Sequence, residues 1–527
     1  VGAAPENDVD EHTAPLRQRQ WWNLSPLRIS LGLGLLSLVM SLWQLSVPGL
    51  VSNYDSGVYF GAALHLVYGA LPYRDFTFVQ PPGIVVLFSP LAALGRIFSS
   101  HLGFQLTRVF SAFVTASNVG LLAWLVRHRG RFAQVIAGGG LAVLPVAFLI
   151  SSSAKLEPYC LVLVLLAAVV LFPSEADGVE LSTRRLVIGG LIFGFAVLVK
   201  LWAVFPLIAA LICLIPRYRQ RVLFLAGSTL ASFAIIALPF FVAAPTNFIS
   251  QVIVEQLVRR SPAAQDLGVG SRLVDMTGFL STSLRPSITL ASAAFVGLAV
   301  VAYVGYRQSA HLNIADSFFL LAAIITFVGL LAPHAYFIWY GYFIDPFLLA
   351  VLAIALARCG PGLRALANKI GVAQPIQRLT KVFVSALVLC LIAGLAIWTS
   401  RTYEISADRT GLRYASTAVI TRLVPPGACV VFNEVSLGIY SNRMISSSPS
   451  CPDVVDPYGM YMAWGYGVTR PPEAFSLEWK RYFEQAQYVV FSHANGPYIP
   501  WGTSLLPWFH RNFHLIYAGK FVYVYVR

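Results

Sequence analysis

The chain has 527 residues, of which 57% are hydrophobic and only 11% charged. That composition excludes a water-solvated globule with an ordinary charged surface and makes lipid the expected solvent for most of the mass. The formal net charge of +14 does not read as nucleic-acid binding, because the basic residues sit in short clusters between apolar runs and not along one face.

The stretch 1–20 is polar, carries acids before its arginines and shows no apolar region ahead of a cleavage site. The first span is therefore expected to act as its own insertion signal. It covers 29–48 and follows Arg17, Arg19 and Arg28, a flank that predicts a cytoplasmic N-terminal tail over 1–28. A polar and aromatic stretch, 52–80, then leads through Pro81, Pro82 and Gly83 into an apolar run. Counting 82–98 as a span would place Arg127, Arg129 and Arg131 outside, against the positive-inside bias, so it is expected to lie in the outer interface.

Further spans follow at 104–126, 132–150 and 158–172. The apolar stretch 186–215 is broken by Lys200 and Trp202 and divides into two short spans with the lysine at their turn. Arg217, Arg219 and Arg221 precede the span 222–243, and 288–306, 318–332 and 342–357 come next. A basic cytoplasmic segment with Arg358, Arg364, Lys369, Arg378 and Lys381 leads to the last span, 382–399.

From 401 the composition is that of a water-soluble domain, with β-rich runs at 429–432, 488–491 and 521–526 and helical patterns at 412–423 and 474–486. The expected fold is thus a polytopic α-helical membrane protein of about eleven spans, with interfacial helices in the first outer loop and a C-terminal soluble α/β domain. The membrane domain is assigned to 29–400, its first outer loop to 50–103, and the extracytoplasmic domain to 401–527. Cys429 and Cys451 share that domain, and an oxidising compartment favours a disulfide between them. Cys160, Cys213, Cys359 and Cys390 lie in or beside apolar runs, as packing cysteines do.

Acids are scarce in the loops assigned outside, so their placement is informative: Asp55 and Asp75 in the first, Glu157 in the second and Glu255 in a later one. Cations gather on the same side, at Arg74, Lys155, Lys200, Arg259 and Arg260. Taken singly, Asp55 before the helical run 56–68 also fits a helix N-cap, and each cation also fits snorkelling to headgroups. The apolar positions of 56–68 would lay that helix against the membrane surface. Together, charges of both signs above a lipid-facing cavity suit a site that holds a phosphate and activates a hydroxyl.

Tyr54-Asp55-Ser56-Gly57, the run Gly69-Ala70-Leu71-Pro72-Tyr73-Arg74-Asp75-Phe76 and Gln80-Pro81-Pro82-Gly83 resemble the membrane-embedded GT-C glycosyltransferases. The likeness is to the branch containing protein O-mannosyltransferases and lipid A aminoarabinose transferases. Lys155-Leu156-Glu157-Pro158 is similar to that branch's second-loop acidic motif, the run from Gly194 to Lys200 to its glycine-rich span, and Glu255 with Arg259 to a later acid-and-arginine motif. Family members often carry Asp where Glu157 stands. His334 and Tyr336 resemble a later histidine-and-tyrosine segment, although tyrosine there also suits an interfacial belt.

The resemblance implies transfer of a sugar from a polyprenyl-phosphate carrier to an acceptor hydroxyl on the extracytoplasmic face of a bacterial plasma membrane, in cell-envelope assembly. Asp55 would be general base, with inversion by direct displacement, and Lys155, Lys200 and Arg259 would surround the departing phosphate. Tyr54, Arg74, Asp75, Gln80, Glu157, Glu255, His334 and Tyr336 complete the expected binding set. The acceptor could be a polysaccharide, glycolipid or protein, membrane lipid is a partner, and nucleic acid is not. No cofactor is certain, although Asp55, Asp75 and Glu157 could offer oxygens to a divalent cation. The rival reading is a transporter or flippase for a lipid-linked sugar, using the same charges to bind and release cargo. Trp464, Tyr466, Trp479, Trp501 and Trp508 could grip a polymeric acceptor or pack a core.

Overall fold

A computed structural model describes residues 25–45, 54–173, 181–258, 268–278, 288–307, 313–333, 335–369, 394, 415–464, 473–494 and 496–527. The expected span 382–399, apart from Gly394, lies outside the described residues, as do Arg259, His334 and Tyr466. The membrane domain is built from α1 (Pro26–Leu45), α2 (Tyr54–Val67), α3 (Gly83–Ile97), α4 (Ser100–Leu125), α5 (Arg131–Val143), α6 (Pro145–Ser151), α7 (Leu156–Leu171), α8 (Thr183–Val199), α9 (Val204–Tyr218), α10 (Val222–Ala243), α11 (Ile288–Arg307), α12 (Ile314–Leu331) and α13 (Gly341–Lys369). Seven described helices are long and apolar enough to cross a bilayer, or eight if α5 and α6, bent by 58°, form one span.

The polarity of α1 shows what surrounds this bundle. Ser30, Ser37, Ser41 and Gln44 are its buried residues, whereas Leu31, Leu35, Val39 and Trp43 are exposed. A helix with its polar stripe inward and its apolar stripe outward is solvated by lipid. Small residues let such helices touch. A side-chain carbon at Gly194 of α8 would lie 2.3 Å from the Thr229 carbonyl oxygen of α10, and one at Gly190 would lie 2.4 Å from that of Leu225. The break expected within 186–215 falls at Lys200, whose backbone is extended between α8 and the short turn Leu201–Ala203. The bend between α5 and α6 has a local cause as well: Pro145 holds Leu144 extended and ends the ladder before it.

At the far end of the 26-residue α4, about 39 Å along its axis by helical rise, several basic residues read as topology signals do more than mark a side. Asp316 near the start of α12 accepts from His128 at 2.9 Å, from Arg358 of α13 at 2.6 Å and from Arg129. Arg358 is buried and not free in solvent, because a carboxylate fully removed from water requires opposite charge.

The C-terminal domain contains α14 (Ala415–Leu423), β1 (Val430–Phe432), α15 (Val435–Tyr440), α16 (Pro457–Ala463), α17 (Glu473–Gln485), β2 (Tyr488–Phe491), α18 (Gly502–Asn512), β3 (His514–Ala518) and β4 (Tyr523–Val526). The sheet runs β1-β2-β4-β3, with β1 parallel to β2 and the other pairs antiparallel. Alternation along its strands decides which layer each residue enters. Val431, Val489 and Phe491 face Phe475, Trp479 and Phe483 of α17 and Phe509 of α18. Val430, Phe432 and Val490 face the other way, into a core that runs through α15 and into the membrane domain. Cys429 and Cys451 form a disulfide.

Glycine sets how closely the two domains meet. A side-chain carbon at Gly57 of α2 would fall 2.8 Å from the Ser436 nitrogen, and one at Gly61 would fall 2.9 Å from Val435. Ten residues of α2 are buried, so its apolar positions are covered largely by protein, notably α3 and α15. Asn442, at φ 55°, turns its side-chain oxygen to the start of α4, accepting from the Ser100 amide and hydroxyl at 2.9 Å each. Arg108 donates to the Tyr440 hydroxyl at 3.1 Å. The glycine contacts of α2 and these hydrogen bonds to α4 fix the soluble domain on the membrane helices.

Two measurements test this packing. Gly194→Leu forces α8 from α10 and is expected to cost about 1–3 kcal/mol or more, read as a lower Tm in detergent, whereas Gly227→Ala, where nothing lies within 4 Å, is expected to be neutral or slightly stabilising. Glu434, just before α15, has its carboxyl pushed up to about 7 by burial, partly opposed by the hydrogen bond from Ser436, with the Asp55 charge adding to the rise. Because the folded value exceeds the ordinary carboxylate value, the stability linked to its proton is complete at pH 4, declines as pH climbs to about 7 and is level above that. Glu434→Gln is expected to abolish that decline, by up to about 3 kcal/mol, in unfolding curves compared at pH 4 and pH 8.

Candidate active site

Five segments converge where the C-terminal domain covers the membrane helices. The first turn of α2 presents Asp55, the extended residue before α7 is Lys155, the first turn of α7 carries Glu157, and the α8 break supplies Lys200. The segment entering α13 contributes Trp339 and Tyr340, and the soluble domain contributes Asp456 and Tyr458. A small cavity, about 40 Å³, is lined by Asp55, Gln80, Glu157, Lys200, Trp339 and Asp456 among others.

The local sequence explains this convergence. In Gln80-Pro81-Pro82-Gly83, a side-chain carbon on Gly83 would lie 2.5 Å from the Leu198 backbone carbon. Only a glycine lets this loop press on the last turn of α8, which places Gln80 and Lys200 on one cavity wall. Tyr73 anchors the preceding loop: its hydroxyl donates to the Gln80 carbonyl at 2.6 Å, and its ring packs 5.1 Å from Phe248. The Gln251 side chain accepts from the Phe78 amide at 2.9 Å, so the segment around 245–258 also braces the loop.

Two ion pairs lie inside the site. Lys155 donates to Asp55, and Lys200 donates to Glu157. Both ammonium groups also rest on aromatic faces, Lys155 3.3 Å from the Trp339 ring centre and Lys200 3.6 Å from Trp202 and 4.4 Å from Tyr340. Lys155 and Glu157 are almost fully buried, whereas the Asp55 side chain keeps 25% of its exposure and meets the cavity. The second oxygen of Glu157 has no hydrogen-bond partner.

Tyr54 joins the two domains. Its hydroxyl donates to Asp456 at 3.0 Å and accepts from the Tyr458 amide at 2.6 Å. Burial, with the Asp456 charge beside it, pushes that hydroxyl well above the ordinary tyrosine range, so it stays a neutral donor. Asp456 itself caps α16 by accepting from the Gly459 amide at 2.8 Å.

The other expected residues are elsewhere. Arg74 and Asp75 pair with each other at 2.7 and 2.9 Å on an exposed turn, with Asp75 also accepting from the Leu71 amide at 2.7 Å. Neither lines the cavity. The Arg74 guanidinium holds the Asp75 carboxyl below its usual range. Glu255 is buried within the bracing segment, and the Tyr336 ring is buried with its centre 5.3 Å from that of Tyr340; neither lines the cavity. Among the described residues no three His, Cys, Asp or Glu side chains group as a cation site. Trp339, Asp456 and Tyr458 escaped the sequence reading. Asp456 before Pro457 carries only a helix-cap signature there.

No protein-family model matches the chain, and no curated protein matches it in sequence. Solved structures do match in shape. ArnT from Cupriavidus metallidurans bound to undecaprenyl phosphate superposes with TM-score 0.59 at 15% identity, over 94% of this chain and 97% of that one. Its apo state gives 0.57 at 13% identity, over 94% and 96%. The apo oligosaccharyltransferase of Archaeoglobus fulgidus gives 0.53 at 16% identity, over 90% of this chain and 70% of that one. The chain therefore shares the fold of these structures, a helical membrane domain followed by a soluble domain with a small sheet.

Proposed function

We propose that this protein is a glycosyltransferase that moves a sugar from a polyprenyl-phosphate-linked donor to an acceptor hydroxyl on the extracytoplasmic face of a bacterial plasma membrane. The observation that carries the reading is a single partly exposed carboxylate, Asp55, set at a cavity beside two lysines withdrawn from bulk water. The solved ArnT structure of the same fold holds undecaprenyl phosphate, a ligand of the chemistry those lysines would receive.

The steps balance on this chain's own groups. The Asp55 carboxylate takes the acceptor hydroxyl proton as the acceptor oxygen bonds to the sugar's anomeric carbon. The bond from that carbon to the carrier phosphate breaks on the opposite face, which inverts the configuration. The departing polyprenyl phosphate gains negative charge, and Lys155 and Lys200 stabilise it where the surroundings are dry and the donors preformed. Without a phosphate, Asp55 and Glu157 neutralise the same two lysines. A phosphate that draws Lys155 toward itself frees Asp55 to act as base, so donor arrival and base activation are coupled. Gln80 lies on the cavity wall as an orienting donor for the sugar or the phosphate.

Asp55→Asn is expected to lower transfer about 10²–10⁴-fold in an assay with polyprenyl-phosphate sugars, while leaving the Tm within a few degrees of the parent. Unchanged turnover, or movement of labelled lipid between leaflets with no glycosidic bond formed, would overturn the reading. Lys200→Met, which removes the charge but retains the stem, is expected to weaken turnover by about 10²-fold and to strand Glu157 without its partner. Glu157→Gln in the Lys200→Met background is expected to recover the lost Tm but not the lost rate.

A further inference from the structure

Three half-buried tyrosines stand at the seam between the domains, where a packed core would hide them. Tyr54 comes from α2, Tyr458 from α16 and Tyr498 from the turn before α18. Their ring centres are 6.1 Å apart for Tyr54 and Tyr458, 5.6 Å for Tyr54 and Tyr498, and 4.9 Å for Tyr458 and Tyr498, all edge to face. Tyr54 and Tyr458 also line the cavity that holds Asp55 and Asp456. Among the domain's other large aromatics, Trp479, Phe483 and Phe509 are buried in its core and Trp501 packs against them, whereas Trp464 is exposed.

Tyr498 has φ 74°, the left-handed region that disfavours a residue with a side chain. The strained backbone holds its ring against the other two, and strain retained beside a cavity is an observation from which function is inferred. A glycine would satisfy that backbone without strain; the side chain present is the one with an aromatic face.

We propose that Tyr54, Tyr458 and Tyr498, with the Asp456 carboxylate, form an acceptor subsite that binds a carbohydrate. Aromatic faces take the C–H face of a pyranose or furanose ring, and carboxylates accept from its hydroxyls. Tyr54, Tyr458 and Asp456 present both chemistries at one cavity, with Tyr498 packed against the two rings beside it, and a sugar seated there lies next to Asp55. The soluble domain thus selects the acceptor while the membrane domain holds the donor. The choice of ligand rests on the glycosyl-transfer reading, and the inference deepens it by naming the acceptor class.

The test uses the full chain in lipid nanodiscs free of sugar detergent. Saturation-transfer NMR is recorded with octyl β-D-glucopyranoside, octyl α-D-mannopyranoside and octyl α-D-arabinofuranoside, and with a Ser/Thr-rich decapeptide. At least one glycoside is expected to bind saturably and the peptide not to bind. Tyr498→Gly is expected to weaken glycoside binding about tenfold or more while keeping or raising the Tm, because it removes the ring and relieves the backbone together. Tyr458→Phe is expected to retain binding, since it keeps the aromatic face. Failure of all three glycosides to bind, glycoside binding indifferent to Tyr498→Gly, or binding of the peptide in competition with the glycosides overturns the subsite. A fall in Tm for Tyr498→Gly in step with the loss of binding assigns the ring a packing role and also overturns it. No donor is present, so these results are read separately from the Asp55→Asn transfer assay: either proposal can fail while the other stands.

Discussion

A helix with glycine at 57 and 61 can bring its backbone into contact with a second domain, and nearly everything at the cavity depends on that approach. With a side-chain carbon at either position, α15 would have to withdraw from α2. Asp456 and Tyr458 would withdraw with it, because the sheet and its helices share one continuous core with the membrane helices. The contact between a soluble sheet and a lipid-solvated bundle is thus not a loose tether. It determines whether the carboxylate of α2 faces water, lipid or a cavity with two domains for walls.

Within that enclosure the electrostatic problem is to keep two largely buried ammonium groups in place. A lone buried charge is costly, and removing one member of a buried pair strands the other. Asp55 and Glu157 answer that cost in the resting arrangement, and the aromatic faces of Trp339, Trp202 and Tyr340 add attraction that brings no further charge. The four groups sum to zero. On the proposed reading an incoming phosphate would exchange partners with these carboxylates, and the group it would release is the one proposed to act on the acceptor.

Much of this was legible in the sequence where chemistry is local. Lys200 interrupts an apolar run, so a turn there follows from the cost of burying its charge, and the turn is found. Lys155 and Glu157 flank a helix start, and Asp55 sits in the first turn of another. Arg74 and Asp75 belong to the same recognisable motif set, yet here they bond each other and close a turn, a role that spacing alone does not separate from ligand binding. Asp456 was illegible because its bond to Tyr54 joins residues 402 positions apart, and nothing in its own neighbourhood distinguishes it from an ordinary cap. The strand β3 was missed for a related reason: at the sheet edge its residues are largely exposed, so the alternation that announces a strand is weak.

The opposite end of the bundle supplies the contrast that gives Asp55 its meaning. Asp316 also holds basic side chains, two arginines and a histidine where Asp55 holds one lysine, and its bonds tie α12 to α13 and to the turn after α4. Its side chain is 0% exposed against 25% for Asp55. Charge pairing therefore does not mark a reactive carboxylate in this protein, since the most heavily paired one is sealed. What differs is access. A carboxylate surrounded by two arginines and a histidine, with no solvent, has no vacant lone pair to offer a substrate, and it serves to hold helices together. A carboxylate with one cation and with one face open to a cavity retains an oxygen that can accept a proton.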